Sequence, residues 1–148
     1  MVHNKLMFGV TRPCVDCHIT SFTPDLVYGD GTRATMDSGP MLHHMVLTSQ
    51  WRPDATCAGS WLGLAGERFF ASGNERTTIA FPAGYGYRVR YYDAWNLLVD
   101  LMNHATSAEG ARSASTLVST RQFASAGGDL HLRMRPLVQV QPGPSHQG

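Results

Sequence analysis

From residue 19 to residue 104 the apolar and polar positions read as short strands separated by turn chemistry. Leu26-Val27-Tyr28 runs into Gly29-Asp30-Gly31, a hairpin-like turn where glycine supplies positive φ without steric cost, and Thr32 to Thr35 reads as the return strand. Asp37-Ser38-Gly39-Pro40 is a second turn leading into the apolar run Met41 to Leu47, after which Gln50 to Ala58 is a polar loop. Arg68-Phe69-Phe70-Ala71 is stopped by Gly73-Asn74, and Thr77 to Phe81 reads as another strand. Two stretches alternate cleanly. Tyr85, Tyr87, Val89 and Tyr91 share one face, with Arg88 and Arg90 on the other. In Trp95 to His104 the residues Leu97, Val99 and Leu101 make an apolar face, while Asp100, Met102 and His104 share the opposite one. The pattern predicts an all-β, antiparallel, jelly-roll-like β-sandwich, with one domain over residues 1–106.

The last third has a different texture. Ser107 to Ala126 is rich in Ala, Ser and Thr and reads as a short weak helix or a loop, and Val138-Gln139-Val140 reads as an edge strand. Gln141 to Gly148 has no means of packing, so residues 107–148 are expected to be an irregular or weakly structured segment ending in a disordered tail. A sandwich ending near residue 104 would still want a further strand from elsewhere.

Composition narrows the function classes. A chain of 148 residues, 43% apolar, suits one globular core, and a formal charge of +1 from scattered basic residues gives no electrostatic case for nucleic acid or an anionic membrane. No window approaches the ~20 apolar residues of a membrane span. Met1 to Phe8 is too short and polar for the apolar core of a signal peptide, which leaves a cytoplasmic chain or one whose leader is missing.

The candidate chemistry starts at His43-His44, embedded in Met41-Leu42-His43-His44-Met45-Val46-Leu47. Imidazole loses free energy when it leaves water without a partner, and it is also the commonest ligand for transition metals. Taken alone, the pair is more often one hydrogen-bonded core histidine beside one facing water. Neighbouring strand side chains point to opposite faces, so both can reach one ion only where the strand bulges or twists. A third ligand must come from elsewhere, and Met102 and His104 share a face of a later strand. Imidazole with thioether favours copper, especially Cu(I). Zinc stays open if a carboxylate such as Asp100 or Glu67 joins the histidines, and Asp100 has the alternative role of orienting an imidazole.

Other features carry less. Cys14-Val15-Asp16-Cys17-His18 is a C-x-x-C-H that reads as a haem attachment site, a redox dithiol or half of a metal site. Gly73-Asn74-Glu75-Arg76 reads as a polar turn closed by hydrogen bonds, and Trp51, Trp61 and Trp95 as packing residues. No Ser-His-Asp order or phosphate-binding glycine loop stands out.

Several ordered motifs together carry a family resemblance: Leu42 to Leu47, then Thr56-Cys57, then Arg68 to Thr77, then Pro82-Ala83-Gly84-Tyr85-Gly86-Tyr87-Arg88-Val89. Over about residues 13 to 104 the chain resembles the first copper domain of the peptidylglycine alpha-hydroxylating monooxygenase superfamily. It more closely resembles stress-up-regulated nodulin-type relatives, which share Pro13-Cys14-x-x-Cys17 and Leu26-Val27-Tyr28-x-Asp30-Gly31. The resemblance implies that His43 and His44 hold one electron-transfer copper with a third donor on the later strand, at Met102 or at His104. The superfamily's second copper site, a His-x-His pair with a distant Met, has no counterpart, since His131-Leu132-Arg133-Met134 offers one histidine. Complete monooxygenase activity is therefore not expected.

The same relatives carry the paired cysteines without depending on haem. A disulfide from Cys57 to Cys14 or to Cys17 is expected, with reduced thiols as the alternative, and it favours an extracellular or cell-surface location over the cytoplasm. The expected function is a copper-binding domain related to the electron-transfer half of such enzymes, with a protein partner or self-association left open. Its rivals are a non-catalytic structural or interaction sandwich and a c-type cytochrome using Cys14, Cys17 and His18.

Overall fold

The computed structural model describes residues 2–28, 30–56, 66–103, 114–123 and 129–134, with side chains for 4–28, 30–56 and 66–102. The chain is an antiparallel, jelly-roll-like sandwich. One sheet has the order β1 (Val2–Val10), β7 (Trp95–Asn103), β3 (Pro40–Ser49), β4 (Glu67–Gly73). The other runs β5 (Ile79–Ala80), β2 (Cys17–Tyr28), β8 (Ala114–Phe123), β9 (Asp129–Met134), with the short β6 (Tyr87–Val89) also paired to β2. Among the described residues the only helical piece is a 3-10 turn at Met36–Ser38.

The core lies between the sheets and follows the alternation of the strands. Leu97, Val99 and Leu101 of β7 and Leu42, Met45 and Leu47 of β3 meet Ile19, Phe22 and Leu26 of β2, all fully or almost fully buried. Each such side chain contributes about 1.5–3 kcal/mol by leaving water. Phe22 stacks on Phe70 of β4 with ring centroids 4.9 Å apart, which ties the two sheets together. Trp95 packs in this core, whereas Trp51 is exposed and Trp61 lies outside the described residues.

Ser107 to Ala126, expected to be a weak helix or loop, instead contributes β8, paired with β2 from His18↔Phe123 to Tyr28↔Ala114. Two causes act together. The free edge of a 12-residue strand needs backbone partners, and Thr116, Val118 and Thr120 place β-branched residues at period two. This is the further strand that a sandwich ending near residue 104 lacked, and β9 adds another. Residues 138–140, expected as an edge strand, and the tail from 141 lie outside the described residues.

The alternation read over Tyr85 to Tyr91 survives only in Tyr87–Val89, and Tyr85 and Tyr91 are exposed. A turn closes before the strand through the Tyr85 N–H to the Pro82 carbonyl, and Asp93 bends the chain after it by accepting the Arg90 N–H at 2.8 Å.

The cysteine expectation is also corrected. Cys14 is bonded to Cys17, not to Cys57, which lies outside the described residues. Asp16, in the left-handed region at φ 48°, turns the chain between the two cysteines and leaves their Cα atoms 6.2 Å apart, within bridging range. Both cysteines of the C-x-x-C-H are tied up in this bridge and Cys17 is buried, an arrangement that does not support the c-type cytochrome reading.

A polar cluster anchors the entry to β7. Arg52, in the loop after β3, donates to Asp93 from Nε (3.2 Å) and Nη2 (2.6 Å), to the Arg88 carbonyl and to Glu67. Tyr87 lies under its guanidinium, 5.0 Å to the ring centre, and donates its hydroxyl to Glu67 at 2.8 Å. Burial, reinforced by that bond to a carboxylate, pushes the Tyr87 phenol well above its ordinary pKa.

Candidate metal centre

The pairing of β3 with β7 slips once. Leu42 pairs with Leu101 and His44 with Asp100, so β3 uses two residues where β7 uses one, and His43 is the extra residue of a β-bulge. The bulge resets the alternation. Leu42 faces the core before it and Met45 and Leu47 after it, which leaves His43 and His44 together on the outer face of the sheet. The distortion that two adjacent histidines require is built into the strand.

Neighbouring strands accommodate it. Gly73 of β4 pairs with His44, and a Cβ there would lie 2.8 Å from the His43 carbonyl oxygen, so glycine lets the bulged backbone approach. Glu75 closes the adjoining turn by accepting from the Gly73 N–H (2.7 Å) and the Ser72 hydroxyl (3.1 Å), and the first of these bonds holds its pKa below the usual carboxylate range. On the other side β1 also takes an extra residue, because Val2 pairs with Leu101 but Lys5 with Val99. Asn4, at φ 43°, sits in that irregularity. Asp100 therefore lies between two strands that both bulge beside it.

The side chains converge. His43 Nδ1 is 3.0 Å from Asp100 Oδ2 and 3.1 Å from His44 Nδ1, and His44 Nδ1 is 3.9 Å from the same carboxylate oxygen. Asp100 is nearly buried, whereas the His43 and His44 side chains are 47% and 36% exposed, so the cluster opens to solvent on the imidazole side. Asn4 Oδ1 lies 3.2 Å from His44 Nε2. One proton arrangement satisfies all of these contacts: His44 donates from Nε2 to Asn4, His43 donates from Nδ1 toward Asp100, and the lone pair of His44 Nδ1 faces that same hydrogen.

This donor set fits a first-row transition ion. Separations of 3.0, 3.1 and 3.9 Å place the three atoms on a circle of radius about 2 Å, the length of imidazole and carboxylate bonds to such ions. Around its centre two angles are near right angles and the third is wide. Two imidazole nitrogens and a carboxylate oxygen are donors that first-row ions such as copper and zinc accept.

The other sequence candidates are distributed as follows. Met102 lies on the outer face beyond Asp100, directly opposite Met41. His104 lies outside the described residues. Glu67 is engaged by Arg52 and Tyr87 at the other end of β3. Asn4 had no signal in the sequence, because nothing marked the first ten residues as a strand, and Gly73 was visible only as a strand stop.

No known family model matches the chain, and no solved structure does. The chain is 33% identical over 109 residues to the "Probable copper-dependent oxygenase M1" of a Phoma species, a match covering 71% of this chain and 28% of that protein. It is also 33% identical over 89 residues to the "Probable copper-dependent oxygenase clz3" of Cochliobolus lunatus, covering 57% of this chain and again 28% of the relative. The matched region thus spans under a third of either relative's length.

Proposed function

We propose that this chain binds one copper ion through His43, His44 and Asp100 and that the site passes single electrons within a copper-dependent oxygenase system. One observation carries the reading: two imidazole nitrogens and a carboxylate oxygen, brought together by a bulge, lie on a circle of about metal-bond radius. The names of both relatives support copper over other ions. Asp100 takes the third position in this reading, ahead of Met102 or His104.

Copper would supply a one-electron couple here. The protein's own residues do the rest. Asn4 holds the His44 ring with Nδ1 unprotonated and turned toward His43, Asp100 holds His43, and loading displaces the proton that the three donors share. The exposed imidazole edges suit exchange with a docked redox protein or a second copy more than they suit excluding water around a substrate. The Cys14–Cys17 disulfide supports an oxidising, extracellular or cell-surface setting. No helix among the described residues is long and apolar enough to cross a membrane.

Metal analysis after copper loading tests the assignment. The expected result is about one equivalent in the wild type and at least about a 1000-fold loss of affinity, roughly 4 kcal/mol, in the double variant His43→Ala with His44→Ala. Less than about half an equivalent in the wild type, or unchanged binding in the double variant, would leave a structural or interaction sandwich as the better reading.

A further inference from the structure

The outer face of the first sheet carries a second set of donors beside the nitrogen and oxygen set. Pro40 and Leu42 of β3 face the core, which places the half-buried Met41 on the outer face two residues before His43. Leu97, Val99 and Leu101 of β7 are fully buried, which places Met102 on the same outer face two residues beyond Asp100. Met41 and Met102 are direct partners in the register, one step past Leu42↔Leu101. Directly opposed strand residues have their Cβ atoms about 5 Å apart, and methionine has three rotatable bonds with which to bring its sulfur to a common point.

Ordinary packing would not ask for sulfur here. Leu6, Leu98 and Val46 form the row on the other side of the histidines, and they cover that part of the same face with aliphatic groups alone. A thioether pair opposed across two strands, with an imidazole in the next row, is the donor combination that soft monovalent ions select over divalent ones.

We propose that Met41 and Met102, together with the His43 imidazole, form a soft subsite that takes copper as Cu(I), adjoining the set that takes it as Cu(II). His43 is shared by both, because it is the imidazole two residues from Met41 on the outer face of β3. The subsite rests on the copper reading above, and it adds a residue, Met41, that neither the histidine pair nor the family resemblance brings in. Binding requires no redox step, so a silver ion, which shares the charge and softness of Cu(I) but does not change oxidation state, probes it directly.

The experiment compares the wild type with Met41→Leu/Met102→Leu, a near-isosteric change that preserves the outer face. Ag(I) is titrated while the methionine methyl resonances are followed, and Cu(I) and Cu(II) affinities are measured separately by chelator competition, Cu(I) without oxygen. The expected result is a stoichiometric shift of the Met41 and Met102 methyls, a fall in Cu(I) affinity of about 10- to 100-fold in the variant, and a Cu(II) affinity within about threefold of wild type. Unshifted methyls, or an unchanged Cu(I) affinity in the variant, overturns the thioether subsite while Cu(II) binding leaves the nitrogen-oxygen site standing. Failure of the wild type to bind copper in either state overturns both.

Discussion

Asp93, two residues before β7, and Asp100, towards its far end, are both nearly buried and meet different company. Asp93 is closed by a guanidinium through two contacts and by the Arg90 N–H. Asp100 is closed on its Oδ2 side by imidazoles, one at 3.0 Å and one at 3.9 Å. A guanidinium is always charged and its fork of donors matches a carboxylate, so the first arrangement leaves nothing for a ligand to do. An imidazole can give up its shared proton and offer a lone pair, so the second can exchange that proton for an ion. The partner of a buried carboxylate, more than its burial, separates a lock from a ligand site.

The difference can be broken from the lock end first. Asp93→Ala leaves the mostly buried Arg52 without its main counter-charge and is expected to lower stability by about 3–5 kcal/mol in urea denaturation. Copper stoichiometry of the folded fraction should not change; a variant that lost copper at unchanged stability would reverse the roles of the two ends. At the other end, Asp100→Asn keeps the shape but removes the charge, and copper affinity should fall about 10- to 100-fold with little change in the urea midpoint. An affinity equal to wild type would remove Asp100 from the first coordination of the ion.

The smallest effect concerns pH. The Tyr87 phenol has a folded pKa raised above its unfolded value by burial and by Glu67, so its contribution is complete at neutral pH. It is lost as pH rises past about 10, where the unfolded chain ionises first. The urea midpoint of wild type should therefore drop more steeply between pH 9 and 11 than that of Tyr87→Phe; parallel curves would show that Glu67 and Arg52 hold the cluster without the phenol.

Much of this was legible in the residues. The inward face of β7 and the need for a distortion at His43-His44 follow from a period of two. The choice among Asp100, Met102 and His104 does not, because all three share one parity. Register is what brings Asp100 beside the pair and sets Met102 opposite Met41, and register depends on where the bulge falls; His104 lies outside the described residues. The sequence also left β1 and β8 unread for a common reason: neither contrasts sharply with its surroundings, and each is held by the open edge of a strand that the sequence did show. Asn4 and the pairing of Cys14 with Cys17 depend on such contacts and turns, and no pattern along the chain announces them.

The bulge at His43 also has an evolutionary grammar. Without that one residue, Leu42, His44, Met45, Val46 and Leu47 would alternate in, out, in, out, in as a plain strand, and the core would be unchanged. Loss or gain of a single codon at this point therefore switches the face between a sandwich with one surface histidine and one with two adjacent ones beside Asp100, while the rest of the gene stays in frame with its fold.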